Sequence, residues 1–158
     1  MSNFTSNQAS YAIDVIPSDT INIPQPYIVV SSNNTAVSAD ELIDGTKDFV
    51  ELGVSQGDVV YNVTDGTIAT VTSRISATAL KLSANIFTAT PKSYEIYQGN
   101  PKPNSFLLYV GSAGDVSVET SAAKPVVLKN VGNASFIPIN VSRVNAAGTT
   151  ASDIIALL

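Results

Sequence analysis

The side chains that carry most biological acid–base and metal chemistry are missing from this sequence, which contains no His and no Cys. Without imidazole and thiolate, no Ser-His-Asp triad, Cys-His dyad or standard zinc site can be assembled. What remains is carboxylate pairs, as in glycosidases, and Ser-Lys pairs. The thirteen Asp and Glu residues fall into no recognisable catalytic motif. Asp40, Glu41, Asp44 and Asp48 are the densest acidic group, and hard cations want several carboxylate oxygens, but the spacing is not that of an EF-hand loop. The sequence therefore predicts a non-enzymatic protein with no catalytic residue, no cofactor and no metal.

Other candidate motifs have simpler readings. Gly111-Ser-Ala-Gly114 is too short for a phosphate-cradling loop and lacks a Gly-Lys-Ser/Thr ending, so it reads as a turn. Asn-x-Ser/Thr triplets, as at Asn62 and Asn140, would matter on a secretory route. The start, Met1 to Ser10, has neither the basic nor the apolar region of a signal peptide. Tyr61, Tyr94 and Tyr97 could form a platform for host glycans; the alternative is that they pack a core or an interface, hydroxyl turned to water.

Eight Lys and Arg against thirteen acids give a net charge of −5. Nucleic acid demands clustered cations, whereas Lys47, Arg74, Lys81 and Lys102 are scattered singly, so nucleic acid is not an expected partner. No apolar run approaches the roughly 20 residues that span a bilayer, and no membrane partner is expected. The absence of Cys leaves the redox compartment open. Only 13% of residues are charged, about half the usual fraction of roughly 25%. Such a surface suits burial against neighbouring subunits.

The elements that must position these residues read as strands. Short β-branched runs alternate with turn residues, the pattern of an all-β sandwich or barrel. Asp58–Val63 and Thr67–Ser73 flank Thr64-Asp65-Gly66, a hairpin signal. Thr78–Ser83 follows, with Leu80 and Leu82 on one face and Lys81 on the other; Tyr94–Tyr97 is a further strand, and Phe49–Leu52 is expected to be one. Ser38-Ala-Asp-Glu41 fits a capping box with Gly45 as the stop, predicting one short helix. Later strands are expected at Phe106–Val110, Asp115–Glu119, Val126–Leu128, Phe136–Val144 and Asp153–Leu158, with Pro138 demanding an edge or a bulge. Pro-x-Pro marks at Ile23–Pro26 and Gly99–Asn104 bracket 27–103. We read this as a β-sandwich-like base domain (11–26 with 104–158), interrupted by a small inserted β-barrel or sandwich (27–103) and preceded by a flexible arm (1–10).

Two segments together resemble a known family. Ala12-Ile-Asp-Val-Ile-Pro-Ser-Asp-Thr20, and the string Leu107–Val118, Val126–Val131, Phe136–Val144 and Gly148–Leu157, are similar to the head decoration or head-spike base proteins of tailed phages and gene-transfer agents. In that family the Pro-Ser-Asp-Thr segment leads almost directly to the Leu-Tyr-Val-Gly strand, and an aromatic residue is common where Leu157-Leu158 end this chain. The 53–87 stretch is similar to a module of phage structural proteins. The resemblance implies a sandwich-like base, no cofactor, and a symmetric homo-oligomer, trimer or pentamer, on the virion's outer capsid surface with the major capsid protein as partner. Candidate interface residues are Phe136, Ile137, Pro138, Ile154, Ile155, Leu157 and Leu158. The strand ending at Leu158 is expected at a sheet edge, where it would pair across subunits.

Overall fold

The computed structural model describes residues 9–99 and 105–158. Residues 1–8 of the expected arm and 100–104 of the expected hinge lie outside the described residues. The described chain forms two open antiparallel sheets of six strands each and contains no helix. In chain order the strands are β1 (Ala12–Asp14), β2 (Ile28–Asn33), β3 (Glu41–Ile43), β4 (Val59–Asn62), β5 (Thr67–Ser76) and β6 (Ala79–Leu82). They continue with β7 (Ser93–Tyr97), β8 (Phe106–Ser112), β9 (Gly114–Thr120), β10 (Pro125–Val131), β11 (Ser135–Val144) and β12 (Ser152–Leu157).

The first sheet has the order β1-β12-β8-β11-β9-β10. Only Ala113 separates β8 from β9, yet these strands do not pair; both run antiparallel to β11. Strand β11 pairs with β8 at Ser135–Ile137 and, after a register shift, again at Val141, and its last part (Val141–Val144) pairs with β9 on the other side. Pro138, which cannot donate to a ladder, falls inside that shift. Of its two expected placements, the bulge is the one observed. The sheet folds over along this line and around Ala113, so its inner face encloses Phe106, Leu108, Val110, Val116, Val118, Val141 and Ile154. A strap from Val15 to Ile23 crosses the same core: Val15, Ser18 and Ile23 donate backbone N–H groups to Ile154, Val144 and Ser142. Arg143 ties the strap down by bonding Asn22, Asn145 and Glu119.

The second sheet has the order β2-β7-β4-β5-β6-β3. It curls until Ala36, just past β2, bridges Ile43 of β3, but it does not close into a barrel. Inside the curl lie Leu42, Phe49, Val54, Val60, Val71, Leu80, Phe87, Tyr94 and Ile96. The alternation of β4 and β7 gives their other face a second duty. Val59, Tyr61 and Tyr97 are buried in the same cluster as Ile13, Ile23 and Phe106, and Ile68 packs against it. All four residues of β4 are consequently buried. The two sheets share one core while the second sheet keeps another.

Three local expectations are corrected. The Ser38–Gly45 helix is absent: Glu41–Ile43 is β3, paired with Lys81, Leu80 and Ala79 of β6. Leu42 is fully buried opposite Leu80, a long-range contact that outweighs a local capping signal. Phe49–Leu52 is a turn, because Asp48 Oδ1 accepts from the N–H groups of Val50 and Glu51 and bends the chain there. The terminal strand β12 is not at an edge, since β1 and β8 flank it; the edges of this sheet are β1 and β10. Strands β1, β2 and β3 were not anticipated.

Candidate functional site

Among the described residues, the outer side of β12, β8 and β11 carries exposed and half-buried apolar side chains. Along β8, Phe106, Leu108 and Val110 point into the core, which turns Leu107 and Tyr109 outward. Register then fixes their neighbours: Phe136 lies opposite Tyr109 on β11, Ile155 opposite Tyr109 and Leu157 opposite Leu107 on β12. Directly opposed residues share a face. Phe136 is 67% exposed and meets Tyr109 edge-on with ring centroids 5.2 Å apart. Pro138 follows at the fold line, exposed, in a shallow groove bounded by Thr120–Ala122 and Pro138–Asn140. The result is a contiguous apolar face of a kind that marks interaction sites.

This sorts the candidate interface residues. Phe136, Pro138, Ile155 and Leu157 lie on the exterior side of the sheet, and Leu158 is exposed at its end, bonded to Tyr11 through both backbone groups. Ile137 and Ile154 are corrections: they point inward and are buried in the shared core. Leu107 and Tyr109 were missed, because β8 is apolar on both faces and hides its own alternation.

The glycan platform is corrected as well. Tyr94 is 0% exposed, wedged edge-on between Phe49 and Phe87 inside the curl, so it meets no ligand. Tyr61 and Tyr97 are 4% and 7% exposed and lean on each other with centroids 5.0 Å apart. They form the floor of a cleft of about 260 Å³ between the first sheet and the β4–β7 pair, lined further by Asp14, Ile16, Val63, Gly66 and Glu95. Tyr61 and Glu95 are register partners. The Tyr97 hydroxyl donates to Glu95 Oε2 at 2.5 Å. Burial pushes both tyrosine hydroxyls far up, and the Tyr97 bond to Glu95 and the Asp14 and Glu95 charges add to it. Both phenols stay neutral.

The acidic group 40–48 is dispersed into structural tasks. Asp40 faces Lys81 at 3.9 Å, and Asp48 caps the turn described above. Asp44 is fully buried; its Oδ2 accepts from the Tyr94 hydroxyl at 2.8 Å and its Oδ1 from the Thr46 N–H and hydroxyl. Among the described residues no three His, Cys, Asp or Glu side chains form a group that could hold a metal ion. Nor is any helix among them long and apolar enough to cross a membrane. Asn62 is buried, with its amide donating to Asp65 and to the Ile86 carbonyl.

Compared with known protein families, curated proteins and solved structures, the chain matches none.

Proposed function

We propose that this chain is a non-enzymatic virion structural protein, a decoration or head-spike base subunit that binds the outer surface of a phage capsid and stabilises it. The observation that carries the reading is the apolar exterior of β12-β8-β11, with Leu107, Tyr109, Phe136, Ile155 and Leu157. An aromatic and aliphatic face of this kind is how a protein adheres by shape and desolvation; aromatic anchors dominate such contacts. The absence of His and Cys accords with adhesive work. The resemblance of the C-terminal string to head decoration proteins supplies the setting, with the major capsid protein under this face. Closed symmetry, as a trimer or pentamer, would repeat each modest contact once per subunit.

The test replaces Phe136, which stands in solvent and contributes little to the fold. Phe136→Asp should leave urea stability within about 0.5 kcal/mol of the parent, as exposed substitutions do. Capsid binding in co-sedimentation should fall at least tenfold. Undiminished binding by a folded Phe136→Asp chain, together with Leu107→Asp, would remove this face from the account. Native mass spectrometry distinguishes trimer from pentamer.

A further inference from the structure

The cleft over Tyr61 and Tyr97 is not used by the adhesive face, and its chemistry is one-sided. Glu95 and Asp14 present carboxylates, and the Tyr97 hydroxyl spends its hydrogen bond on Glu95 Oε2. The backbone N–H groups of Val63 and Gly66 at its rim are engaged by the Ser93 and Asn62 carbonyls. The Tyr61 oxygen accepts from the Ile16 backbone N–H and keeps its own O–H as a donor, against which stand the two carboxylates. Among the described residues no cation answers them: the ion pairs there join Lys81 to Asp40, Lys92 to Asp65, Lys129 to Asp115 and Arg143 to Glu119. None brings a Lys or Arg nitrogen within 4.0 Å of Asp14 or Glu95. The walls between the charges are the rings of Tyr61 and Tyr97 and the side chains of Ile16 and Val63.

We propose that this cleft binds an alkylammonium or guanidinium group, with the carboxylates of Glu95 and Asp14 taking its N–H donors and the tyrosine and aliphatic walls its alkyl stem. An ammonium offers donors and no acceptor, which is the complement of what lines the cleft. Size agrees: about 260 Å³ is room for one side-chain-sized group, at the small end of the roughly 300–1,000 Å³ of small-molecule sites. A sugar would need an exposed ring plane, which Tyr61 and Tyr97 lack.

The full-length chain is titrated with n-butylammonium, with n-butanol as its neutral counterpart and with methyl glucoside, following backbone amides by two-dimensional NMR. Saturable shifts at Gly66, Glu95 and Tyr97 are expected with the ammonium alone. Asp14→Asn and Glu95→Gln should each weaken binding at least fivefold, with Gln still able to accept from Tyr97. Asp40→Asn, which removes equal charge elsewhere, should leave it unchanged. A Gly-Lys-Gly peptide binding more tightly than spermidine would identify a partner protein's side chain as the source, and the reverse order a free polyamine. Equal shifts with butanol, saturation by the glucoside alone, or no saturable response to any cation would overturn the proposal. None of these outcomes bears on capsid binding by the β12-β8-β11 face.

Discussion

Asp44 illustrates how this chain uses its acids. Burial alone would raise its pKa, but hydrogen bonds from Thr46, Ser32 and Tyr94 outweigh that and hold it below the ordinary 3.8. The linkage follows from that direction. As pH falls through the ordinary carboxylate range the unfolded chain takes up this proton first, so the stabilisation is complete above that range and is lost as pH drops toward the depressed native value. Asp65, Asp115 and Asp153 are lowered by hydrogen bonds, the first two chiefly from Lys92 and Lys129, and act with the same sign. Urea midpoints should therefore fall from pH 5 to pH 2.5, and Asp44→Asn should make that fall shallower. Tyr94→Phe keeps the ring packing but removes one donor from the buried carboxylate; it should cost about 1–2 kcal/mol in urea unfolding. A Tyr94→Phe chain as stable as its parent would show that Thr46 and Ser32 suffice. Neither role could be read from the sequence, where Asp44 is one acid among neighbours and Tyr94 one of six Tyr; both arise from a contact 50 residues apart.

Strands were legible where local pattern and long-range pairing agree. Leu80 and Leu82 alternate with Lys81, and β6 buries the leucines as that alternation requires. Asp65-Gly66 marks the β4–β5 hairpin, although the loop spans Val63–Gly66 and only Gly66 among these takes a positive φ, +65°. Legibility failed where partners far along the chain decide. Glu41–Ile43 carries a helix-start signal yet has β6 as its neighbour, and β1 is too short to announce itself. Nor does any local signal show that β8 and β9, joined at Ala113, run on opposite sides of β11. That jog depends on Gly114, where an added Cβ would lie 2.4 Å from the Ala151 backbone nitrogen. Backbone cannot yield as a flexible side chain can, so Gly114→Ala should destabilise by about 1–3 kcal/mol, as overpacking does. Thermal unfolding checks it; an unchanged midpoint would mean that the jog is loosely held. The exterior face was half legible for the same reason: Phe136 and Leu157 stood out, whereas Leu107 and Tyr109 sit in an unbroken apolar run.

At the scale of the molecule, Val59, Tyr61, Ile68 and Tyr97 join the second sheet to the core of the first. Each buried side chain of this size contributes roughly 1.5–3 kcal/mol, so the 27–103 stretch loses much of its support if the first sheet unfolds. A single calorimetric transition is expected; two well-separated transitions would show that the sheets are energetically independent. The first sheet turns Phe106, Leu108 and Val110 into the shared core and Leu107, Tyr109 and Phe136 out of it. The central claim is that this exterior seats the chain on a capsid. Its most direct test is a cryo-electron microscopy reconstruction of particles purified from cells that make the chain. The account predicts symmetric copies on the outer shell, with Phe136, Tyr109 and Leu157 against the major capsid protein. Particles that lack the chain, or that carry it with this face open to solvent, would contradict it.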